Sequence, residues 1–71
     1  MSNLKDRRKA MGLSQRDLAY LAEIKVRLIQ DYEQGHRNIN GAAGLTLYKI
    51  AQALHCNMED LLELDQKEVD I

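Results

Sequence analysis

Two sets of side chains in this sequence have the types and spacing for specific chemistry. The first is Val26, Arg27, Gln30 and Asp31, in which Gln30 and Asp31 follow Arg27 by three and four residues, the spacing of neighbours on a helix face. An arginine can donate two parallel hydrogen bonds to guanine O6 and N7, a glutamine can pair with adenine, and a valine can pack on a thymine methyl. Asp31 has two readings: it accepts from cytosine N4, or it pairs with Arg27 one turn away. The second set is Ser14, Gln15, Arg16, Lys25, His36, Arg37 and Asn38. Their hydroxyl, amide and cationic groups suit phosphate oxygens. For His36, Arg37 and Asn38 the competing reading is an ordinary solvated loop. Covalent chemistry has no comparable candidates. Cys56 is the single cysteine, and His36 and His55 stand far apart without other ligand types at metal spacing. No nucleophile–base pair or phosphate-binding glycine loop is present. The expectation is a binding protein without enzymatic activity, metal or cofactor.

These side chains need elements to hold them. A chain of 71 residues makes at most one domain. With one cysteine and no intrachain disulfide, its stability must come from apolar packing, for which a 45% hydrophobic fraction suffices. Proline, Trp and Phe are absent, strand-type runs are missing, and helix formers dominate. The expected class is all-α. Leu4, Met11 and the stem of Arg8 mark a first helix over residues 3–11, closed by Gly12. Ser14 and Asp17 form a short-armed capping box for a second helix, with Leu18, Ala19, Leu21 and Ala22 as its apolar side. A third helix runs from Lys25 or Val26 to Gln34, with Ile29 and Tyr32 inward and Gly35 suited to the left-handed position after it. Residues 36–44 read as a loop in which Asn40 caps a fourth helix carrying Leu45, Leu47, Tyr48, Ile50, Ala51 and Leu54. Asn57 and Asp60 open a short fifth helix with Met58, Leu61 and Leu62. Tyr32 and Tyr48 read as core, Tyr48 with its hydroxyl at the edge. Tyr20 reads as exposed or in a partner contact, and Met11 and Met58 read as core filler.

The net charge of −1 conceals an asymmetry. Residues 1–49 carry nine Lys and Arg against five Asp and Glu, a net of +4, whereas residues 50–71 carry one Lys against six acids, a net of −5. A basic body with an acidic tail suits a polyanion binder, although charged residues also simply solvate helix faces. The expected organisation is a helical domain over 1–64 and an acidic tail over 65–71. No apolar run approaches the ~20 residues of a membrane span, and no secretory signal is visible at the N-terminus. Both point to the cytoplasm and to a reduced, buried Cys56.

In order along the chain, Leu4, Arg8, Gly12-Leu13-Ser14-Gln15, Leu18-Ala19, Ile29, Tyr32-Glu33-Gln34-Gly35, Lys49-Ile50-Ala51, Ala53-Leu54 and Asp60-Leu61-Leu62 resemble the lambda-repressor-like, Cro/CI-type helix-turn-helix family, also called XRE. The resemblance spans Leu4 to Leu62. It implies a compact five-helix domain with the helix-turn-helix formed by helices 2 and 3, a homodimer, and sequence-specific binding to double-stranded DNA with the third helix in the major groove. It implies that Gln15 contacts phosphate and braces the reading helix. It implies base contacts from Val26, Arg27, Gln30 and Asp31, and an ion pair between Arg8 and Glu33. The sequence departs from the family at Glu23 and Lys25 in the turn between helices 2 and 3, at Arg7, at His55 and in a longer segment before helix 4. The leading expectation is a bacterial or phage-type transcriptional regulator, in particular a repressor. The alternative is an antitoxin-type module that neutralises a protein partner through the acidic C-terminal region and regulates its own operon.

Overall fold

The computed structural model describes residues 2–63. Four α-helices follow one another: α1 over Asn3–Ala10, α2 over Gln15–Ala22, α3 over Val26–Gln34 and α4 over Gly44–Ala53. Two 3-10 turns, Ile39–Gly41 and Met58–Leu61, complete the described residues, in which there is no strand.

The helix ends follow local chemistry. The Ser2 side chain accepts from the Lys5 backbone N–H at 3.1 Å and opens α1, whose last turn carries Arg7, Arg8 and Lys9 against the negative dipole end. Ser14 and Asp17 close a reciprocal capping box, each side chain accepting from the other's backbone N–H at 3.0 Å. Gly35 takes φ 81° and ends α3. Its missing Cβ permits that turn at no steric cost. Glu23 and His55 adopt φ 57° and 54° without that freedom.

The centre of the core is assembled evenly. Leu4, Leu18, Ile29, Ile50 and Leu61 are fully buried, one from each α-helix and one from the last 3-10 turn. Each such side chain contributes about 1.5–3 kcal/mol relative to exposure. Helix α2 packs on both α3 and α4, while α1 closes over α3 and the turn Met58–Leu61.

Several expectations need correction. The fifth helix is a 3-10 turn of four residues. Leu62 N–H bonds Glu59 O in the i→i+3 pattern, and Leu62 itself is extended. The carbonyl of Leu62 accepts from the Asn3 side chain at 2.7 Å, and the backbone of Glu63 pairs with Asn40, so the groups that would continue a helix are taken. Asn40 does not cap α4. It lies inside the 3-10 turn Ile39–Gly41, which Asn38 opens by accepting from the Asn40 N–H at 2.9 Å, and the turn buries Ile39. Helix α4 begins after Ala43 with no side-chain cap. Tyr48 is 51% exposed rather than core, and Leu45 is exposed as well. The buried stripe of Leu47, Ile50, Ala51 and Leu54 follows i, i+3, i+4, i+7, and both residues fall beside it. Leu21 in α2 and Met11, just past the end of α1, are also exposed. Cys56 is partly rather than fully buried. The expected boundary at 64 and the acidic tail 65–71 lie outside the described residues.

Candidate nucleic-acid interface

The polar groups that fix α3 relative to its neighbours meet at Glu33. Arg8 donates to it through Nε at 2.6 Å and Nη2 at 2.9 Å, and Gln15 adds an amide N–H at 3.0 Å. The remaining Arg8 Nη1 donates to the Leu13 carbonyl at 2.8 Å. The two charged side chains are 9% and 2% exposed, so α1, the α1–α2 loop, α2 and α3 are joined through one desolvated node. Among the described residues no buried side-chain polar atom is left without a partner. Burial pushes the Glu33 carboxyl up, but the hydrogen bonds from Arg8 and Gln15 and the Arg8 charge outweigh it and hold it below the usual carboxylate range. The Glu33 hydrogen bond in turn raises Arg8 against the opposing effect of burial.

With Ile29 buried and Glu33 anchored, the other side of α3 points outward. Arg27 is 78% exposed at the N-terminal end of the helix. Gln30 is half-buried, and Val26 divides itself between the surface and the core it packs against. Lys25 precedes α3, exposed and without a side-chain cap. Ser14 and Gln15 stand at the start of α2 with part of their bonding committed, the Ser14 oxygen to Asp17 and one Gln15 N–H to Glu33. Arg16 is exposed beside them.

Asp31 is where the structure adds most. Its carboxylate accepts from Arg27 Nε at 3.1 Å and from Arg37 Nε at 3.4 Å, with His36 Nδ1 at 3.8 Å. The Arg27 pair is the i,i+4 contact expected from spacing. The Arg37 and His36 contacts were not anticipated. They arise because Gly35 turns the chain back on itself: the Asp31 carbonyl accepts from the backbone N–H groups of His36 at 2.9 Å and Arg37 at 3.2 Å. An acid four residues before a helix-ending glycine, with basic residues directly after it, is the sequence signal for this closure. The Arg27 hydrogen bond, assisted by Arg37, holds the Asp31 carboxyl below its ordinary range. Asn38, also exposed, opens the following 3-10 turn. Sequence reasoning likewise missed the cluster in which Asn40 exchanges two hydrogen bonds with the Glu63 backbone, at 2.8 and 3.0 Å, while the Asn3 N–H reaches the Glu63 carboxylate.

Helices α2 and α3 thus form a braced pair, joined by a three-residue turn over Glu23, Ile24 and Lys25, with α3 presenting cationic and amide side chains. A family model described as helix-turn-helix matches residues 4–61. The chain belongs to the Cro/CI-type helix-turn-helix family, also called XRE. No curated protein matches it. As a Cro/CI-type helix-turn-helix domain it is a DNA-binding protein of the transcription-regulator kind. No helix of the described residues is long and apolar enough to cross a membrane.

Proposed function

We propose that this chain is a repressor that binds a palindromic or near-palindromic operator as a homodimer. The observation that carries the reading is the division of α3 into an anchored side and an open one: Glu33 is locked to Arg8 and Gln15, and Arg27 stands free of the core. A helix held this firmly can enter the major groove in one register, and the residues near its N-terminus then meet base edges. Val26, Arg27 and Gln30 are assigned to the bases, with Asp31 beside Arg27. Ser14, Gln15, Arg16, Lys25, His36, Arg37 and Asn38 are assigned to phosphates on either side, which position without specifying. Two copies would meet half-sites about one helical turn, roughly 34 Å, apart. Repression then follows from occupancy and requires no chemistry on the DNA.

Selection of bound sequences from a random duplex pool tests the reading. The expected product is a symmetric motif with two half-sites at that spacing, bound with a strongly negative dependence of log affinity on log salt. An enriched motif without symmetry would remove the dimer. Failure to enrich, with affinity insensitive to salt, would remove DNA recognition altogether.

A further inference from the structure

The arrangement around Asp31 has a consequence for how Arg27 recognises DNA. Each guanidinium uses its Nε on a different carboxylate oxygen, Arg27 on Oδ1 and Arg37 on Oδ2. Among the described residues neither arginine makes a hydrogen bond through its Nη groups. The exposed Arg27 side chain, which would otherwise sample many rotamers, is therefore held at its Nε while its two terminal NH2 groups stay open. That pair of parallel donors matches guanine O6 and N7. A fork held at one angle loses less freedom on meeting a planar two-acceptor edge placed in its line, which favours a guanine at that position over groups that lie elsewhere. The carboxylate also offsets charge on Arg27 and Arg37 at the surface facing the duplex, which weakens attraction to phosphates of any sequence.

We propose that Asp31 is a specificity-determining positioning residue: it aims the Arg27 fork at guanine and, by engaging Arg27 and Arg37 together, lowers affinity for non-operator DNA. The proposal rests on the DNA-reading function above. Asp31 itself needs no bond to a base in this role. The same carboxylate can serve both arginines because Gly35 brings residues 36 and 37 back to the level of Asp31.

The experiment compares wild type, Asp31→Asn, Arg27→Ala and the double variant on three duplexes: the selected operator, the operator with the guanine opposite Arg27 replaced, and an unrelated sequence. Asp31→Asn is expected to bind the unrelated duplex more tightly and to lose about tenfold of its preference for guanine. In the Arg27→Ala background the substitution should no longer change guanine preference, while the gain on unrelated DNA persists in part through Arg37. An equal loss on all three duplexes would overturn the proposal by showing that Asp31 acts only through the fold, and unchanged affinities would overturn it directly. Wild type that binds none of the duplexes would overturn the functional reading itself and this proposal with it. A measurement on the unmodified protein covers the case in which Asp31→Asn fails to fold. The Arg27 Nε–H should exchange with solvent more slowly than that of Arg16, which is exposed and makes no hydrogen bond among the described residues. Equal exchange rates would remove the latch.

Discussion

Arg8 and Glu33 lie 25 residues apart in sequence and share two hydrogen bonds, the shorter at 2.6 Å, between side chains almost closed to solvent. Two desolvated charges are costly to bury, and their attraction offsets that cost only because every donor and acceptor around them is used. Gln15 and the Leu13 carbonyl complete the set. The pair orients α3 more than it raises net stability.

Removing one partner should therefore be far worse than removing both. Glu33→Gln is expected to destabilise the domain by about 3–5 kcal/mol, since it strands the buried Arg8 charge. Combining it with Arg8→Met should recover a large part of the loss. Urea unfolding of the two single variants and the double variant measures the coupling. Additive losses would contradict the pairing.

The acid range should report the same network. Glu33 is held low despite its burial by Arg8 and Gln15, Asp31 by the hydrogen bond from Arg27, and Asp17 by the backbone N–H of Ser14. Carboxyls held low when folded bind fewer protons than they do unfolded. Stability is then fully present above the ordinary carboxylate range, about pH 4, and is lost as pH falls through that range toward the folded values. Melting temperature should be flat from neutral pH to about pH 5 and decline steeply below about pH 4. Glu33→Gln should flatten that decline. An unchanged slope in this variant would remove Glu33 as its source.

Arg27→Ala should weaken operator binding by about 1–3 kcal/mol and relax preference at one base pair of each half-site. Its melting temperature should stay close to wild type, because the side chain is 78% exposed. Competition binding against single-base operator variants reads the effect. A uniform loss over all variants would make Arg27 a phosphate contact.

Glu23 occupies the left-handed region at φ 57°, where its Cβ is strained by about 1–2 kcal/mol. Glu23→Gly relieves that strain against roughly 0.5–1 kcal/mol of added chain freedom. A modest net stabilisation, about 0.5 kcal/mol, is expected from thermal unfolding. DNA affinity should also rise at low salt, since the substitution removes a negative charge next to α3. A less stable protein would show that the Glu23 side chain makes a contribution of its own.

What was legible beforehand, and what was not, divides along physical lines. Helices α1, α2 and α3 could be placed from Ser14, Asp17, Gly12 and Gly35, because caps and left-handed turns are decided within a few residues. The Arg8–Glu33 pair followed from family resemblance and not from spacing, since nothing local links residues 25 positions apart. The segment from Asn38 to Ala43 was misread because its structure is set by distant partners. Ile39 is buried in the shared core, and Asn40 bonds to the backbone at Glu63. The fifth helix failed for the same reason, as Asn3 and Asn40 claim the groups that would extend it. In the candidate interface Arg27, Gln30 and Asp31 were visible by periodicity. The approach of Arg37 and His36 to Asp31 required the chain reversal at Gly35, which periodicity does not describe.

The even distribution of fully buried residues bears on how this scaffold can diversify. Helix α3 contributes only Ile29 to the innermost core, and Glu33 supplies its polar anchor. In the proposed reading the architecture and the recognition code fall largely on different positions of one nine-residue helix, with Val26 shared between them. If Arg27 reads the bases as proposed, exchange at this exposed position would change which sequence is read at little cost to the fold, and the domain would behave as a chassis whose lettering is replaceable. On the same proposal Asp31 would tie that freedom to a condition: a new letter at 27 would keep its aim only if it could still donate a hydrogen bond to the Asp31 carboxylate.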